Sequence, residues 1–235
     1  DDEGLALLSF FMSVRAAVRA KVSLSMAAVQ TEPSAAATCR TEAKDYLQRA
    51  IAFLAPVTPR IVAIGGLSGS GKSTVARALA PFLTPAPGAV VLRSDVIRKT
   101  LLGIGDLAPL GPDGYAPAVS QQVYDTLIAR SRSIAASGFS VIADATFTKL
   151  EGRAALASAA AALGVKFVGF WLEADAATLL SRVAARRNDP SDADAGVVRR
   201  QLAEDLGAIA WTHLDATQPA AKTAEDIVAR MGKMP

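Results

Sequence analysis

One short segment carries glycine, lysine and serine at the spacing that phosphate binding requires. Residues 66–73 read Gly-Leu-Ser-Gly-Ser-Gly-Lys-Ser and match G-x-x-x-x-G-K-[ST] at every required position. Glycines without a Cβ let backbone N–H groups turn inward around an anion, and the start of the following helix adds partial positive charge. We therefore expect Lys72 to reach the β- and γ-phosphates of ATP, and Ser73 to ligate Mg²⁺.

The context of this segment supports the motif. A chance Gly/Ser-rich turn is the alternative, but an apolar strand at 61–65 precedes the segment and a helix over 72–83 follows it. The residues predicted to bind the nucleotide are Gly66, Ser68, Gly69, Ser70, Gly71, Lys72, Ser73 and Thr74. Because GTPases, motors, ABC ATPases and kinases all carry such a loop, the residues at the other strand ends must separate these classes.

The second predicted strand ends in a carboxylate and an arginine one helical turn apart. Residues 93–99 read Arg-Ser-Asp-Val-Ile-Arg-Lys. Ligands of doubly wound sheets lie beyond the carboxyl ends of the strands, so Asp95 would face the same crevice as the phosphate loop. There it can accept the proton of an attacking hydroxyl, while Arg98 holds a substrate anion or orients Asp95. The plainer alternative makes Asp95 a helix N-cap and Arg98 a surface ion-pair partner.

Two further strand ends offer charged groups. Asp144 ends the third strand and is placed to hold Mg²⁺ directly or through water, with a simple turn residue as the equal alternative. After the fourth strand, Arg182 and Arg186 share one helix face and suit a lid that brings cations to the transferring phosphoryl group. The alternative is a solvated basic helix. The acids expected to cap the lid helix are Asp189, Asp192 and Asp194.

The elements that position these residues follow from the hydrophobic pattern. From residue 61 onward, short β-branched runs alternate with Ala-rich helical segments, as in βαβ units of a parallel sheet. The predicted strands are 61–65, 89–93, 139–144, 165–172 and a weaker one at 212–215. Ser or Thr followed three residues later by an acid predicts helix starts at Thr148, Ser191 and Thr223. The expected fold class is α/β, with a five-stranded parallel sheet and helices on both faces.

Two helical segments precede this pattern. The first, over about residues 4–22, needs a partner surface because it carries an apolar stripe. That stripe is formed by Leu7, Phe11, Val14 and Val18. We expect residues 1–34 to be a helical remnant of an upstream domain, 35–57 to be a linker helix, and 58–235 to be the P-loop domain.

Composition sets broad limits on the class of protein. The net charge of +3 is a mild basic excess that neither requires nor excludes nucleic acid. The single Cys39 rules out an internal disulfide and the lone His213 leaves no zinc cluster, so we expect a reducing cytoplasm. The apolar stretch at 5–12 is too short to span a membrane. The chain begins with two Asp and a Glu rather than Met, so we expect a piece of a longer protein.

Four segments together resemble a known family. They are residues 65–74, 94–99, 141–147 and 186–193. They look like the bacterial predicted kinases grouped with polynucleotide 5′-kinases, zeta toxins and chloramphenicol phosphotransferase, and the resemblance covers about residues 58–235. It implies a P-loop three-layer sandwich with an Arg-bearing lid, and ATP and Mg²⁺ as cofactors. It also implies that Asp95 is the general base, that Arg98 contacts the substrate, and that the lid arginines Arg182 and Arg186 touch the ATP phosphates.

A second resemblance covers the start of the chain. Residues from about 4 to 54 resemble the tail of an aminoglycoside-phosphotransferase-like domain and the junction after it in two-domain bacterial proteins. This resemblance implies an upstream phosphotransferase-like domain as a partner. The catalytic residues of such a domain would lie before residue 1, so none is assigned here.

The acceptor is where inference from the sequence ends. Tyr115 and Tyr124 are candidates for the acceptor pocket, whereas His213, Trp171 and Trp211 are expected to serve packing. No basic track interleaved with aromatics favours nucleic acid, so a small-molecule hydroxyl is expected, and a polynucleotide 5′-hydroxyl is the alternative. A non-kinase ATPase or an ATP-binding regulatory module for the upstream domain is the third alternative. The N-K-x-D motif that a GTPase needs is absent.

Overall fold

The computed structural model describes residues 2–232 and divides the chain into two units, Asp1–Thr58 and Pro59–Pro235. The first unit is a helical hairpin of α1 (Leu5–Val29) packed against α2 (Pro33–Leu54). Helix α1 runs seven residues past the predicted end at 22. The assignment of residues 1–34 to an upstream domain and of 35–57 to a linker stays a prediction. No helix within residues 2–232 is long and apolar enough to cross a membrane.

The two helices of the hairpin meet through small side chains. The buried positions are Ser13, Ala16, Ser23 and Ala27 in α1, and Ala36, Ala43 and Ala50 in α2. Small residues let the backbones approach closely, and the Ser13 hydroxyl donates to the Ala50 carbonyl at 2.8 Å. The apolar stripe predicted on α1 faces away from α2, so Leu7 and Phe11 remain 56% and 60% exposed. The hairpin therefore carries an uncovered apolar face.

The second unit contains a five-stranded parallel sheet in the order β2-β3-β1-β4-β5. The strands are β1 (Arg60–Gly66), β2 (Val90–Arg93), β3 (Val141–Asp144), β4 (Lys166–Glu173) and β5 (Thr212–Asp215). All the predicted strands are present, and their ends differ from the predicted ones by at most two residues. The expected fold class is confirmed.

Helices cover both faces of the sheet. They are α3 (Lys72–Leu79), α4 (Ser94–Leu101), α5 (Pro117–Ala136), α6 (Leu150–Ala162), α7 (Ala176–Ala185), α8 (Ala195–Ala203) and α9 (Ala220–Met231). Helices α3 and α9 pack against each other and share one core cluster with the β1 residues Val62 and Ile64. Because side chains alternate along a strand, Ile61 and Ala63 face the opposite layer, where α5 and α6 contact the sheet.

Three of the capping predictions are wrong. Ser191 does not start α8, because the Asp194 carboxylate accepts the Val197 N–H at 2.8 Å and is itself the N-cap. Thr223 lies inside α9, which begins after Pro219. Thr148 precedes Lys149, the actual N-cap of α6.

The strand order brings the charged strand ends together. The chain passes from β1 to the edge strand β2, returns through β3, and crosses β1 to reach β4, so β1 lies at the switch point of the topology. Asp144 pairs in register with Ile64 of β1 and with Arg93 of β2. The carboxyl ends of these strands therefore place the phosphate loop, Asp144 and the start of α4 around one cleft.

Candidate active site

The phosphate loop links β1 to α3 and is held in one conformation by close contacts. Gly69 has a φ of 88°, and a Cβ there would stand 2.5 Å from the Leu179 carbonyl oxygen. A Cβ at Gly66 would likewise stand 2.6 Å from the Leu172 carbonyl oxygen. Gly71 caps α3 in the left-handed region. The loop is thus shaped to present backbone N–H groups at a helix N-terminus, which is the arrangement that binds phosphate.

Lys72 lies at the start of α3 among opposing charges. Its ammonium donates to the Leu67 carbonyl at 2.9 Å and lines the cleft. Burial lowers the pKa of Lys72, and the negative charges of Asp144 and Asp95 oppose that shift. The ammonium therefore lies close to both carboxylates that the sequence predicts as functional.

Asp144 is a buried carboxylate whose Oδ2 accepts no hydrogen bond from the described residues and lies 3.6 Å from Arg93 Nε. The residue is 3% exposed. Burial raises the pKa of Asp144, against the charge of Lys72, a hydrogen bond from Ser73 and the charge of Arg93. A buried acceptor without a partner costs about 1–3 kcal/mol, so this oxygen is suited to a cation.

The oxygens of Ser73 and Asp144 fit Mg²⁺. A hydroxyl and a carboxylate are hard ligands, and Mg²⁺ usually takes only one or two such groups from a protein and the rest from phosphates and water. Residues 2–232 hold no group of three or more His, Cys, Asp or Glu side chains arranged for a metal. A site of this kind would therefore depend on nucleotide phosphates.

Asp95 lies in the first turn of α4 and also lines the cleft. No cation within the described part of the chain forms a salt bridge with it, and it caps no helix end. Its charge nevertheless acts on Lys72, Asp144 and Tyr115. An unpaired carboxylate facing a cluster of phosphate-binding groups can accept a proton there.

Arg98 forms part of the cleft wall instead of a surface ion pair. It is 7% exposed, and its Nη1 donates to the Gly114 carbonyl at 2.8 Å and to Ser120 Oγ at 3.3 Å. Its guanidinium carbon lies 4.7 Å from the centre of the Tyr115 ring. The Tyr115 hydroxyl donates to Asp192 Oδ2 at 3.1 Å, and burial followed by the charge of Asp192 raises the pKa of Tyr115. Arg98 thus holds the turn that carries Tyr115.

The two predicted lid arginines both lie beside the phosphate loop. Arg182, on α7, places Nη1 3.9 Å from where a Cβ on Gly71 would stand. Arg186 follows α7 directly, and its buried Nη1 has no hydrogen-bond partner among the described residues. Its charge lowers the pKa of Lys72, so it lies near that ammonium. Both guanidinium groups line the cleft and are suited to phosphate oxygens.

The segment that joins α7 to α8, residues 186–194, is called the strap. Asp189 Oδ1 accepts from Arg93 Nη2 and from the Ser191 N–H, both at 2.9 Å. Asp192 pairs with Lys99 at 3.2 Å, in addition to Tyr115. The prediction that these two acids cap the lid helix is wrong, because both bind side chains at the β2–α4 side of the cleft. Only Asp194 is a cap.

Two residues at the cleft, Arg93 and Gln201, were missed by sequence reasoning. Arg93 ends β2, so the strand-end rule that selected Asp95 applies to it equally. Gln201 of α8 accepts the Ser68 N–H of the phosphate loop at 2.8 Å, a contact that no motif signals. Tyr124, a predicted candidate for the acceptor pocket, does line the cleft. Its hydroxyl accepts the Phe147 N–H at 2.9 Å and thereby supports the turn after Asp144, where Phe147 has a φ of 50°.

His213 forms its hydrogen bonds outside the cleft that contains the phosphate loop. Its Nδ1 lies 2.7 Å from Glu173 and its Nε2 lies 3.1 Å from the Ile209 carbonyl. The hydrogen bond with Ile209, followed by Glu173, raises the pKa of His213. Both tryptophans contribute to packing, with Trp171 buried and Trp211 stacked edge-on against Phe147.

The cleft as a whole has a volume of about 930 Å³. It extends from the phosphate loop and lid arginines on one side to Asp95, Arg98 and Tyr115 on the other. This volume lies at the upper end of the range for small-molecule sites. All the predicted site residues except Gly66 and Ser70 of the phosphate loop line this one cavity.

Comparison with known sequences gives one family and a small set of relatives. The AAA domain model matches residues 61–204. Uncharacterized protein Rv2004c of Mycobacterium tuberculosis is 33% identical over 201 residues, which is 84% of this chain and 39% of that protein. A Mycobacterium bovis protein matches to the same extent. The chain thus spans well under half the length of the curated relatives it matches.

Solved structures share the fold of the second unit. The Mycobacterium tuberculosis APS kinase CysC aligns with a TM-score of 0.56 and 20% identity, over 75% of this chain and 99% of that chain. A Sinorhizobium meliloti gluconokinase gives 0.50 and 24%, over 75% and 95%. The Deinococcus radiodurans tunicamycin resistance protein gives 0.50 and 25%, over 74% and 96%. With its parallel sheet, its phosphate loop and the family match, this chain belongs to the AAA domain family AAA_33 and has the fold of the P-loop kinases.

Proposed function

We propose that this chain is a kinase that binds ATP and Mg²⁺ and transfers the γ-phosphoryl group to a hydroxyl of a small-molecule acceptor. One observation carries the proposal. Asp95, a carboxylate without an ion pair, lines the same cleft as Lys72 and the two lid arginines. A carboxylate there can take the proton of an acceptor hydroxyl, whereas a module that only binds ATP needs no such base, and an acceptor screen separates transfer from hydrolysis.

The nucleotide would be held by the loop and by the groups around Lys72. Backbone N–H groups of residues 69 and 71–73 and the Lys72 ammonium would bind the β- and γ-phosphates. Ser73 and Asp144 would hold Mg²⁺, which when bound neutralises charge on these phosphates.

The transfer step assigns one role to each remaining charged group. The Asp95 carboxylate would take the proton of the acceptor hydroxyl as that oxygen bonds to the γ-phosphorus. The bond from the γ-phosphorus to the β–γ bridging oxygen breaks, and ADP leaves with that oxygen. Arg182 and Arg186 would stabilise the charge that spreads over the transferring oxygens.

The contacts of the strap on the acceptor side favour a small molecule. Asp192 bonds Lys99 and Tyr115, so the strap bridges to this side of the cleft. A polynucleotide would need an open basic groove with stacking aromatics, whereas here Arg98 is buried against Tyr115. The gluconokinase and the APS kinase with this fold are named as kinases of small molecules. Arg98 and Tyr115 are the proposed acceptor contacts.

An acceptor screen tests this proposal. Transfer of the γ-phosphate from labelled ATP would be followed across sugars, polyols, amino sugars, nucleosides and a 5′-hydroxyl oligonucleotide, with Lys72→Ala as the blank. We expect at least one small molecule to be labelled by the wild type and not by the variant. Labelling of the oligonucleotide alone would contradict the small-molecule acceptor, and ATP hydrolysis without labelling of any acceptor would contradict the kinase.

We also propose that the helical hairpin belongs with a phosphotransferase-like domain in the full-length protein. Two facts support this: the uncovered apolar face of α1, and the length of the curated relatives outside the matched part. Hydrogen exchange of residues 5–29 can be compared between this chain and a longer one that includes the further domain. Slower exchange in the longer chain is expected, and equal exchange in both would contradict the proposal.

A further inference from the structure

Arg93 lies between the two halves of the cleft that must act together. Its Nη2 donates to Asp189 of the strap at 2.9 Å. Its Nε lies 3.6 Å from Asp144 Oδ2. The side chain is only 12% exposed, so both carboxylates compete for one guanidinium in a place that water hardly reaches.

The contacts with the two acids are unequal. The bond to Asp189 is of normal length, whereas Arg93 Nε and Asp144 Oδ2 each have no hydrogen-bond partner among the described residues. A separation of 3.6 Å is too long for a hydrogen bond but short enough for strong attraction. Arg93 is thus hydrogen-bonded to Asp189 of the strap but interacts with Asp144 only through electrostatic attraction. A small movement of the guanidinium would strengthen one of these two interactions and weaken the other.

The strap carries Arg186, which the proposed phosphoryl transfer needs. Arg186 begins the strap, three residues before Asp189, and its buried Nη1 is unpaired in the described structure. Asn188, between them, has a φ of 50°, which gives the strap a tight turn. Burial raises the pKa of Asp189, but the Ser191 N–H and Arg93 outweigh it and hold that pKa below its usual value. The anchor of Arg186 is therefore a charged carboxylate bound to Arg93.

We propose that Arg93 is a positioning residue that couples the strap to the carboxylate of Asp144. A divalent cation at Asp144 would take up the negative charge that draws Arg93 and would repel its guanidinium, so Arg93 would bind Asp189 more firmly. The strap would then be held closed with Arg186 at the phosphates. This inference rests on the proposed function only in taking Asp144 as a Mg²⁺ ligand.

Hydrogen exchange of the strap tests the coupling without any acceptor or turnover. Peptides covering residues 186–194 would be followed in the ADP-bound protein with and without Mg²⁺. We expect Mg²⁺ to slow exchange of the wild-type strap roughly fivefold or more, as for a typical coupling between sites. In Arg93→Gln and in Asp189→Asn the strap should exchange faster, and the response to Mg²⁺ should be lost. Arg199→Gln removes an exposed arginine of α8 and should behave as the wild type.

Two results would overturn the proposal. One is a wild-type strap whose exchange does not respond to Mg²⁺, and the other is an Arg93→Gln protein that keeps the full response. Binding of ADP, measured by calorimetry, shows whether each variant is folded. If Arg93→Gln does not fold, the loss of the Mg²⁺ response is tested with Asp189→Asn alone. A failed acceptor screen would leave these exchange results unchanged, so the failure of the coupling and the failure of the proposed function can be told apart.

Discussion

At the scale of single residues, the cleft contains buried charges that oppose one another. Burial lowers the pKa of Lys72 and raises the pKa of Asp144, and each of the two charges counteracts the shift of the other. Removing one partner would leave the other buried without compensation, which is costly. Substitutions here therefore act on both nucleotide binding and the neighbouring charges.

Replacing Lys72 with Ala should nearly abolish phosphoryl transfer. The change removes the cation at the β- and γ-phosphates, and the loss of one such interaction costs about 3–4 kcal/mol, or roughly 10²–10³ in rate. Turnover of labelled ATP with any accepted substrate measures the effect. The matched control is Lys166→Ala at the exposed start of β4. Turnover of the Lys72 variant within a few-fold of the control would contradict the role given to this residue.

Replacing Arg98 with Ala should raise the acceptor KM with little change in the KM for ATP. The variant loses the bonds to Gly114 and Ser120 and the contact with Tyr115, so the acceptor wall loosens while the phosphate loop is untouched. We expect a rise of about tenfold or more, as for lost hydrogen bonds to a charged group. Steady-state kinetics with each substrate varied in turn gives both constants. A change confined to the KM for ATP would contradict the placement of Arg98.

The role of a site residue could be predicted from the sequence only where the residues that define the role lie close together in the chain. The phosphate loop is one contiguous motif, and Asp95 and Asp144 followed from the rule that ligands lie beyond strand ends. The bond from Arg93 to Asp189 joins residues 96 positions apart, and neither residue alone shows that the other is near. The strap acids could only be taken as caps, because capping is the local role of Asp.

At the scale of elements, the lid should act on the rate more than on binding. Arg182 and Arg186 lie beside the phosphate loop, and a lid cation acts mainly on charge that spreads in the transition state. In Arg182→Ala and Arg186→Ala we expect kcat to fall more than ATP affinity, by roughly 10²-fold for at least one of them. Turnover and calorimetry separate the two quantities. Wild-type kcat in both variants would contradict the role given to the two arginines.

The strands were predictable because their signal is a buried apolar run, whereas helix starts were not. Ser191 is followed three residues later by an acid, as a capping box requires. However, its N–H donates to Asp189, and α8 begins only after its N-cap Asp194. At Thr148 the carbonyl accepts from the buried Arg153 of α6 itself at 3.0 Å, a contact that fixes the turn before this helix. Both helix starts are thus set by hydrogen bonds that the Ser/Thr-to-acid capping pattern does not contain.

At the scale of the whole molecule, the chain contains a site-bearing unit and a helical unit that carries none of the proposed catalytic groups. Residues 1–34 should be dispensable for nucleotide binding, because every proposed catalytic residue follows Gly65.

Removing α1 alone uncovers the small-residue face of α2, so a chain that begins at Pro59 is the better variant for this test. We expect it to bind ATP within a few-fold of the full chain by calorimetry. A folded Pro59–Pro235 chain that binds no ATP would place the helical unit in the site.

The central claim is that Asp95 makes this nucleotide-binding fold a kinase, and one paired measurement on Asp95→Asn tests it most directly. The amide keeps the size of the side chain but cannot take the proton of the acceptor hydroxyl. Calorimetry should show ATP binding close to that of the wild type and of the control Asp45→Asn on exposed α2. Phosphate transfer to the acceptor should fall by the roughly 10²–10⁴ that general-base catalysis contributes. Near-normal acceptor phosphorylation by Asp95→Asn would contradict the mechanism and the claim that Asp95 makes this fold a kinase.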